Sequence, residues 1–282
     1  MRGSITDQPV VDTRPLFEPE RVALLEVLAS LTPEQWHMPT VCEGWSVHDV
    51  ALHLLWGDLS NLSRRRDDYF GRPQDNPGDF DDLSSLIDFV NHLNDTWIRG
   101  ARRISPNLLQ SLLRVTGEEW VAFVQTVDIS AMGMGVGWAG PEPAPVWLDI
   151  AREFTERWVH QQHIRDAAGI PGATEPRFLR PVLATFAMAM PFALRAVDAP
   201  SGTTARLEIT GESGGVWTAR KMAETWVFAD EAEAGIDGTL TVDQDSAWRL
   251  FTRGIDRAGV KAQASGNRDI AYALLDMVTI LA

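Results

Sequence analysis

The sequence has few of the residues that stabilise exported proteins or bind polyanions. Cys42 is its one cysteine, so an internal disulfide is excluded, as fits a reducing cytoplasm. There are 25 basic and 39 acidic residues, a formal net charge of -14. Nucleic acids and anionic membranes are bound by clustered lysine and arginine, so we expect neither partner. No apolar run approaches the ~20 residues that cross a bilayer, and we predict a soluble, cytoplasmic protein.

Tryptophan, by contrast, is abundant, with eleven residues against two tyrosines, and we expect most of them in the core. A chain of 282 residues is long enough for two domains. Up to about residue 172, apolar residues recur at helical spacing, interrupted by a Pro-, Gly- and Asp-rich loop over 73–82. Four long helices with short helical extras indicate a bundle, which we assign to residues 15–172.

The second part of the chain changes its hydrophobic period. One more apolar helix is predicted over 179–197, and a period of two then indicates strands. The predicted strands are 205–210, 216–220, 225–228 and 239–242, and the predicted closing helices are 243–253 and 267–281. We therefore predict an α+β protein, with a small α+β domain over 173–282.

A stretch with almost no charge, 131–145, contains four glycines and three prolines and is too glycine-rich for an ordinary helix or strand. Long irregular loops in compact domains are often functional, so one interpretation is a lid or cleft wall. A plain connector is the other interpretation, and the sequence favours neither.

The residues with ligand chemistry are histidines and one glutamate. Glu156 and His160 are four apart on a predicted helix and therefore share a face. His53 lies on a helix whose inner face would look into the bundle. Together they would give three ligands and an open fourth position, as in catalytic zinc sites. Alone, the Glu–His pair is typical of solvated residues and His53 of a core histidine, and His163, three residues after His160, remains a rival ligand.

Two motifs resemble one known family. The sequence Cys-Glu-Gly-Trp-Ser-Val-His-Asp-Val-Ala-Leu-His-Leu at 42–54, preceded by Trp36 and Pro39, resembles the N-terminal signature of the mycothiol-dependent maleylpyruvate isomerase family. Glu-Arg-Trp-Val-His at 156–160, followed by Ile-Arg at 164–165, resembles that family's fourth helix. More loosely, strands 216–218 and 239–242 are similar to its sterol-carrier-like C-terminal domain.

The resemblance implies a DinB-like four-helix bundle in which His53, Glu156 and His160 bind a divalent metal, with zinc as the expected ion. The ion would bind the thiol of mycothiol as a thiolate. That thiolate would add to maleylpyruvate and leave after bond rotation, or would be transferred to another electrophile. The implied partners are a low-molecular-weight thiol and a small electrophile, for a monomer or weak homo-oligomer. His163 stands where the family most often has an acid, which leaves the reaction open.

Other functions remain open at this point. The chain would be a carrier if it bound metal and thiol without catalysis, or a metal-dependent hydrolase if water took the place of the thiol. An anionic substrate would need a cation, for which Arg165, Arg249 and Arg253 are candidates. Surface salt bridges are the alternative role for each of them. His37, His48 and His92 carry no comparable signal, and the sequence assigns no catalytic or cofactor-binding residue beyond the three metal ligands.

Overall fold

The computed structural model describes residues 5–72, 83–229 and 235–279. The predicted loop 73–82 and the last two residues of the predicted final helix lie outside these ranges. The packing of Cα atoms separates two compact units. Described residues of 14–127 and 156–173 form the helical unit, and those of 1–13, 128–155 and 174–281 form the mixed unit. The domain division predicted at residue 172 stays a proposal.

The helical unit is built from long helices that begin at strong caps. Ser46 and Asp49 form a reciprocal capping box, and the hydroxyl of Ser105 accepts a hydrogen bond from the N–H of Leu108 in front of Pro106. A serine cap followed by an acidic residue or a proline is a sequence signal for a helix start, and both helices begin at such a signal. The helices are α1 (Phe17–Ser30), α2 (Val47–Asn61), α3 (Leu83–Ala101), α4 (Pro106–Val124) and the part of α5 (Val146–Ala168) from residue 156 onward.

The core of this unit is formed mainly by residues of α1, α2, α3 and α4. Leu24, Leu55 and Leu109 are fully buried in it, and Ile164 of α5 closes it. Burying such side chains contributes about 1.5–3 kcal/mol each to the stability of the fold. Across the described chain, the prediction that most tryptophans are core residues is confirmed, since seven of the eleven are buried.

The mixed unit combines helices with one five-stranded sheet. Its elements are α6 (Pro176–Ala187), α7 (Met190–Ala193), β1 (Thr204–Thr210), β2 (Gly215–Lys221), β3 (Trp226–Phe228), β4 (Gly238–Asp243), α8 (Gln244–Phe251), β5 (Ala262–Gly266) and α9 (Arg268–Leu275). The strand order in the sheet is β3-β2-β1-β4-β5. The β1 and β2 strands form an antiparallel hairpin, β4 pairs parallel to β1, and α8 follows β4 directly. The predicted α+β class is confirmed.

Three details of this unit differ from the sequence prediction. The helix expected over 179–197 is divided between α6 and α7, because Pro191 lacks the N–H that would continue α6 and its ring would clash with a preceding carbonyl. The final helix stops at Leu275, and Thr279 instead donates its N–H to the carbonyl of Phe251. Strand β5 is not predicted from the sequence, because its small, exposed side chains show no alternation of polar and apolar residues.

The stretch Pro176–Ala196 also corrects the expectation about apolar runs. Within the described ranges it is the one helical stretch long and apolar enough to cross a membrane by length and composition. Of the apolar window within it, 61% is buried inside the protein. Phe178, Leu183 and Phe186 are among its buried residues, and a core helix gives the same compositional signal.

The glycine-rich stretch 131–145 forms one wall of a cavity of about 270 Å³ in the mixed unit. A bridge between Met132 and Pro145 closes it into a loop. Gly135 is required there, because a Cβ atom at this position would lie 2.7 Å from the carbonyl oxygen of Pro141. The stretch therefore lines a cavity, and a function as lid or cleft wall stays a prediction beside that of a plain connector.

Candidate metal centre

His53 is a buried residue of α2, with 8% of its surface exposed. Its position is set by the start of the helix, about two turns earlier. There the carboxylate of Asp49 accepts the N–H of Ser46 and two further hydrogen bonds from Arg102, at 2.9 and 3.1 Å. The capping box and the arginine together fix α2, and with it the direction of the imidazole.

Glu156 and His160 lie one turn apart on α5 and face His53. The Nε2 atom of His160 is 3.1 Å from Oε1 of Glu156, and the Nε2 atom of His53 is 3.3 Å from the same oxygen. The two imidazole ring centroids are 4.6 Å apart. The structure therefore brings together the three residues that the sequence singled out, which we call the trio.

The geometry of the trio fits a small metal ion. Its three ligand atoms all lie within 4.8 Å of one another. A tetrahedral zinc ion with bonds of 2.0–2.1 Å places its ligand atoms about 3.3 Å apart. The nitrogen–oxygen separations of 3.1 and 3.3 Å agree with that value. Two imidazoles and a carboxylate are also the donors of known catalytic zinc sites, which keep a fourth position for water or substrate.

Solvent reaches the trio from one side. The side chain of His160 is 1% exposed and that of His53 is 10% exposed, whereas that of Glu156 is 26% exposed. The indole of Trp45 packs on the His53 ring with centroids 5.1 Å apart. The histidines are thus shielded, and an exogenous ligand would enter beside the carboxylate.

The protonation of the trio follows from burial and hydrogen bonding. Burial raises the pKa of Glu156, but hydrogen bonds from His160 and His53 outweigh it and hold that pKa well below its usual value. Burial lowers the pKa of His160, yet its contacts with Cys42 and Glu156 raise that pKa to about 10. At His53 burial dominates and lowers the pKa. Without metal, Glu156 is therefore a carboxylate, and His160 holds a proton that a metal ion must displace.

A second cluster adjoins the trio at the other ring nitrogen of His160. The Sγ atom of Cys42 lies 3.3 Å from Nδ1 of His163 and 4.0 Å from Nδ1 of His160. His163, the rival ligand, belongs to this cluster and not to the trio. Sequence reasoning missed Cys42 as a site residue. The available signal was a cysteine together with a His-x-x-His pair, but 118 residues separate Cys42 from His160.

A buried ion network joins the same two helices close to the trio, with Asp58 five residues after His53 on α2 and Arg157 directly after Glu156 on α5. Asp58 of α2 accepts hydrogen bonds from Arg21 at 2.7 and 3.0 Å, from Arg157 at 3.1 Å and from Thr116 at 2.8 Å. The guanidinium of Arg157 also lies 4.6 Å from the ring of Trp120. Arg157 is the neighbour of Glu156, so this network fixes the helix that presents two of the three trio residues.

The three arginine candidates have different surroundings. Arg165 is 8% exposed and donates to Gln161 and to the carbonyl of Ala23, both at 3.0 Å, so a surface salt bridge is the wrong interpretation for it. Arg249 pairs with Asp245 at 3.1 Å on the surface, as expected. Arg253 adopts a left-handed backbone conformation, with φ of 58°, after the end of α8.

The remaining histidines stay outside both clusters. His37 and His92 are exposed. His48 is buried, and its Nε2 atom lies 2.9 Å from the carbonyl oxygen of Ile104. None of these three histidines therefore contributes to the trio or to the second cluster, as their weak sequence signals indicate.

Comparisons with known proteins agree with the family resemblance. The model of the mycothiol maleylpyruvate isomerase N-terminal domain matches residues 17–165, more than half of the chain. A crystal structure of the mycothiol-dependent maleylpyruvate isomerase is similar with a TM-score of 0.52 at 14% identity, covering 92% of this chain and 95% of that one. A histidine-to-alanine mutant of that enzyme gives 0.50 at 13% identity with the same coverage. No curated protein sequence matches the chain.

Proposed function

The chain belongs to the mycothiol maleylpyruvate isomerase family, and we propose that it is a metal- and thiol-dependent enzyme acting on a small electrophile. Cis–trans isomerisation of a maleylpyruvate-type substrate and transfer of the thiol to the electrophile are the two reactions that this proposal includes. Both begin with the same thiol addition, so the metal centre is common to them and the substrate pocket decides between them.

The observation that carries the proposal is the one-sided exposure of the trio. His53, Glu156 and His160 would hold the metal, and the two buried imidazoles would keep their orientation through packing on α2 and α5. Zinc held there would supply an open position at which a thiol ionises at neutral pH, whereas a free thiol of pKa ~8.5 is only a few per cent thiolate. The exposed edge of Glu156 leaves that position reachable from solvent.

The residues around the trio have their own tasks in this proposal. Trp45 covers the His53 ring and keeps water from that side, which strengthens the electrostatic interactions of the centre. Glu156 contributes a negative charge, so that the trio compensates only part of the charge of a divalent ion. A thiolate ligand would compensate the rest.

Three further expectations belong to the same proposal. The partners of the protein would be a low-molecular-weight thiol, namely mycothiol, and a small electrophile, with no nucleic acid involved. The protein would act in the cytoplasm, where thiols are kept reduced. The helical bundle would comprise residues 15–172 and the α+β domain residues 173–282.

The decisive experiment is an assay of zinc-loaded protein with mycothiol, once with maleylpyruvate and once with a panel of electrophiles. We expect turnover that requires both zinc and mycothiol, and its loss in His53→Ala. His92→Ala is the matched control, because it removes an exposed histidine of the same protein and should leave turnover unchanged.

Two outcomes would contradict the proposal. Binding of mycothiol without any isomerisation or conjugation would indicate a carrier. Hydrolysis of ester or amide substrates without mycothiol would indicate a hydrolase with metal-bound water.

A further inference from the structure

The cluster of Cys42, His160 and His163 has no task in the proposed reaction. Its ligand atoms are the thiol sulfur and the Nδ1 atoms of the two histidines, all within 4.8 Å of one another. His160 and His163 are 1% and 6% exposed, and Cys42 is half-buried. Such a set of one thiol and two imidazoles, closed on one side and open at the sulfur, is the donor set of zinc and of other thiophilic ions.

The backbone around Cys42 holds its sulfur in place. The N–H of Cys42 donates to the hydroxyl of Thr40 at 3.2 Å, and its carbonyl accepts the N–H of Trp45 at 3.0 Å. The N–H of Thr40 in turn donates to the carbonyl of Trp45 at 3.0 Å. Hydrogen bonds within the loop therefore hold the backbone on both sides of Cys42. Metal binding would then cost little additional conformational entropy of the loop.

The distances agree with tetrahedral coordination. With zinc–sulfur and zinc–nitrogen bonds of about 2.3 and 2.0 Å, sulfur and nitrogen ligands lie about 3.5 Å apart. The observed separations from the sulfur are 3.3 Å to His163 and 4.0 Å to His160, which lie on either side of that value.

An ion in this cluster is distinct from one in the trio. The trio uses Nε2 of His160, whereas Cys42 faces Nδ1 on the other side of the ring. The lone pairs of the two ring nitrogens diverge, so one ion cannot bind both. An ion at each nitrogen would be bridged by the ring.

We propose that Cys42, His163 and the Nδ1 atom of His160 form a second metal site for a thiophilic divalent ion such as zinc, bridged to the trio by the His160 ring. Binding there releases the thiol proton, and with both sites filled His160 also loses its last ring proton and becomes an imidazolate. The proposal goes beyond the enzymatic function and does not depend on turnover.

The test is metal stoichiometry combined with a cobalt spectrum. Wild-type protein dialysed after zinc loading should retain two equivalents by elemental analysis. Cobalt-loaded protein should show the near-ultraviolet charge-transfer band of a thiolate ligand. Cys42→Ser and His163→Gln should each retain one equivalent and lose the band, whereas His53→Ala should retain one equivalent and keep it. His92→Ala should match the wild type.

The outcomes separate this site from the trio. One equivalent in the wild type, with a thiolate band that survives in His53→Ala, supports the second site and contradicts the proposed function. Absence of the thiolate band in the wild type overturns the second site. A band lost in His53→Ala but kept in His163→Gln also overturns it, because the cysteine would then serve the ion of the trio.

A measurement on the unmutated chain covers the case in which a variant does not fold. Cys42 is the one thiol of the protein, so its alkylation by N-ethylmaleimide can be followed by mass. We expect zinc at two equivalents to slow this alkylation at least about tenfold at about pH 9, where an ordinary free thiol is mostly ionised, since a metal-bound thiolate is less basic and so less nucleophilic than a free thiolate. An unchanged rate would overturn the site.

Discussion

Helices α2 and α5 carry two polar clusters, and the clusters differ in how they are closed. In the ion network, Asp58 is 0% exposed and its partners Arg21 and Arg157 are 7% and 4% exposed at their side chains. In the trio, Glu156 is 26% exposed. Both clusters pair a carboxylate with buried cationic or basic groups, yet only one of them is reachable from solvent.

The difference shows which cluster holds the helices together and which is available for a ligand. Asp58 accepts four hydrogen bonds, from Arg21, Arg157 and Thr116, and its acceptor capacity is used within the fold. In the trio both histidines contact the same oxygen of Glu156, Oε1, and the Glu156 side chain is 26% exposed. A cluster whose polar groups are satisfied by one another stabilises the fold. A cluster that is open to solvent keeps the capacity to bind a ligand and stabilises the fold less.

The largest expected effect comes from opening the closed cluster. Asp58→Asn should lower the free energy of unfolding by about 3–5 kcal/mol, because it removes the carboxylate that pairs with two buried guanidiniums, those of Arg21 and Arg157. Chemical denaturation followed by circular dichroism measures this. Glu119→Gln is the control, since the Arg66–Glu119 pair is exposed and its loss should change the free energy of unfolding far less. Equal losses in the two variants would remove the distinction between the clusters.

The next largest effect concerns the open cluster. His53→Ala should weaken zinc binding to the trio by at least about 100-fold, more than the loss of an outer-shell partner, because it removes one of three ligands. Competition with a chromophoric chelator measures the affinity. The metal-free variant should keep nearly the stability of the wild type, so a loss as large as that of Asp58→Asn would show that the trio is structural.

Lowering the pH protonates Asp58 and so tests the ion network without a change of side chain. Burial raises the pKa of Asp58, but Arg21 and Arg157 outweigh it, so the folded-state pKa is lowered. A lowered pKa gives stability that is present above the unfolded value of ~3.9 and lost as the pH falls towards the folded value. The stability gap between wild type and Asp58→Asn should therefore be constant at neutral pH and shrink below about pH 4, by at most about 1.4 kcal/mol per pH unit. A gap independent of pH there would contradict this assignment.

The smallest effect distinguishes charge from hydrogen bonding in the network. Thr116→Val removes the hydroxyl that donates to Asp58 at 2.8 Å and keeps the shape of the side chain. The carboxylate retains its two arginines, so we expect a loss of about 1 kcal/mol of unfolding free energy. Urea titration of the two proteins measures it, and a loss near that of Asp58→Asn would show that the arginines alone do not compensate the carboxylate.

Much of the fold was predictable because its signals are local. The capping box at Ser46, the Ser105–Pro106 start and the end of α5 at Gly169, with φ of 69°, depend on neighbours within a few residues. Strand β5 was not predictable, because its pairing with β4 uses backbone groups and its side chains are small and exposed. Arg165 was misjudged for a related reason, since its partner Ala23 is 142 residues away.

The sequence by itself determined the α+β class, the helix that carries Glu156 and His160 on one face, and the two motifs that relate the chain to its family, because periodicity and motif spacing are properties of neighbouring residues. Only the tertiary structure decided that His53 meets this pair and that Cys42 meets His163. Those contacts join residues more than 100 positions apart in the sequence. They depend on the packing of α2 beside α5, which the hydrogen bond from Arg157 of α5 to Asp58 of α2 supports, and not on the conformational preference of any short segment.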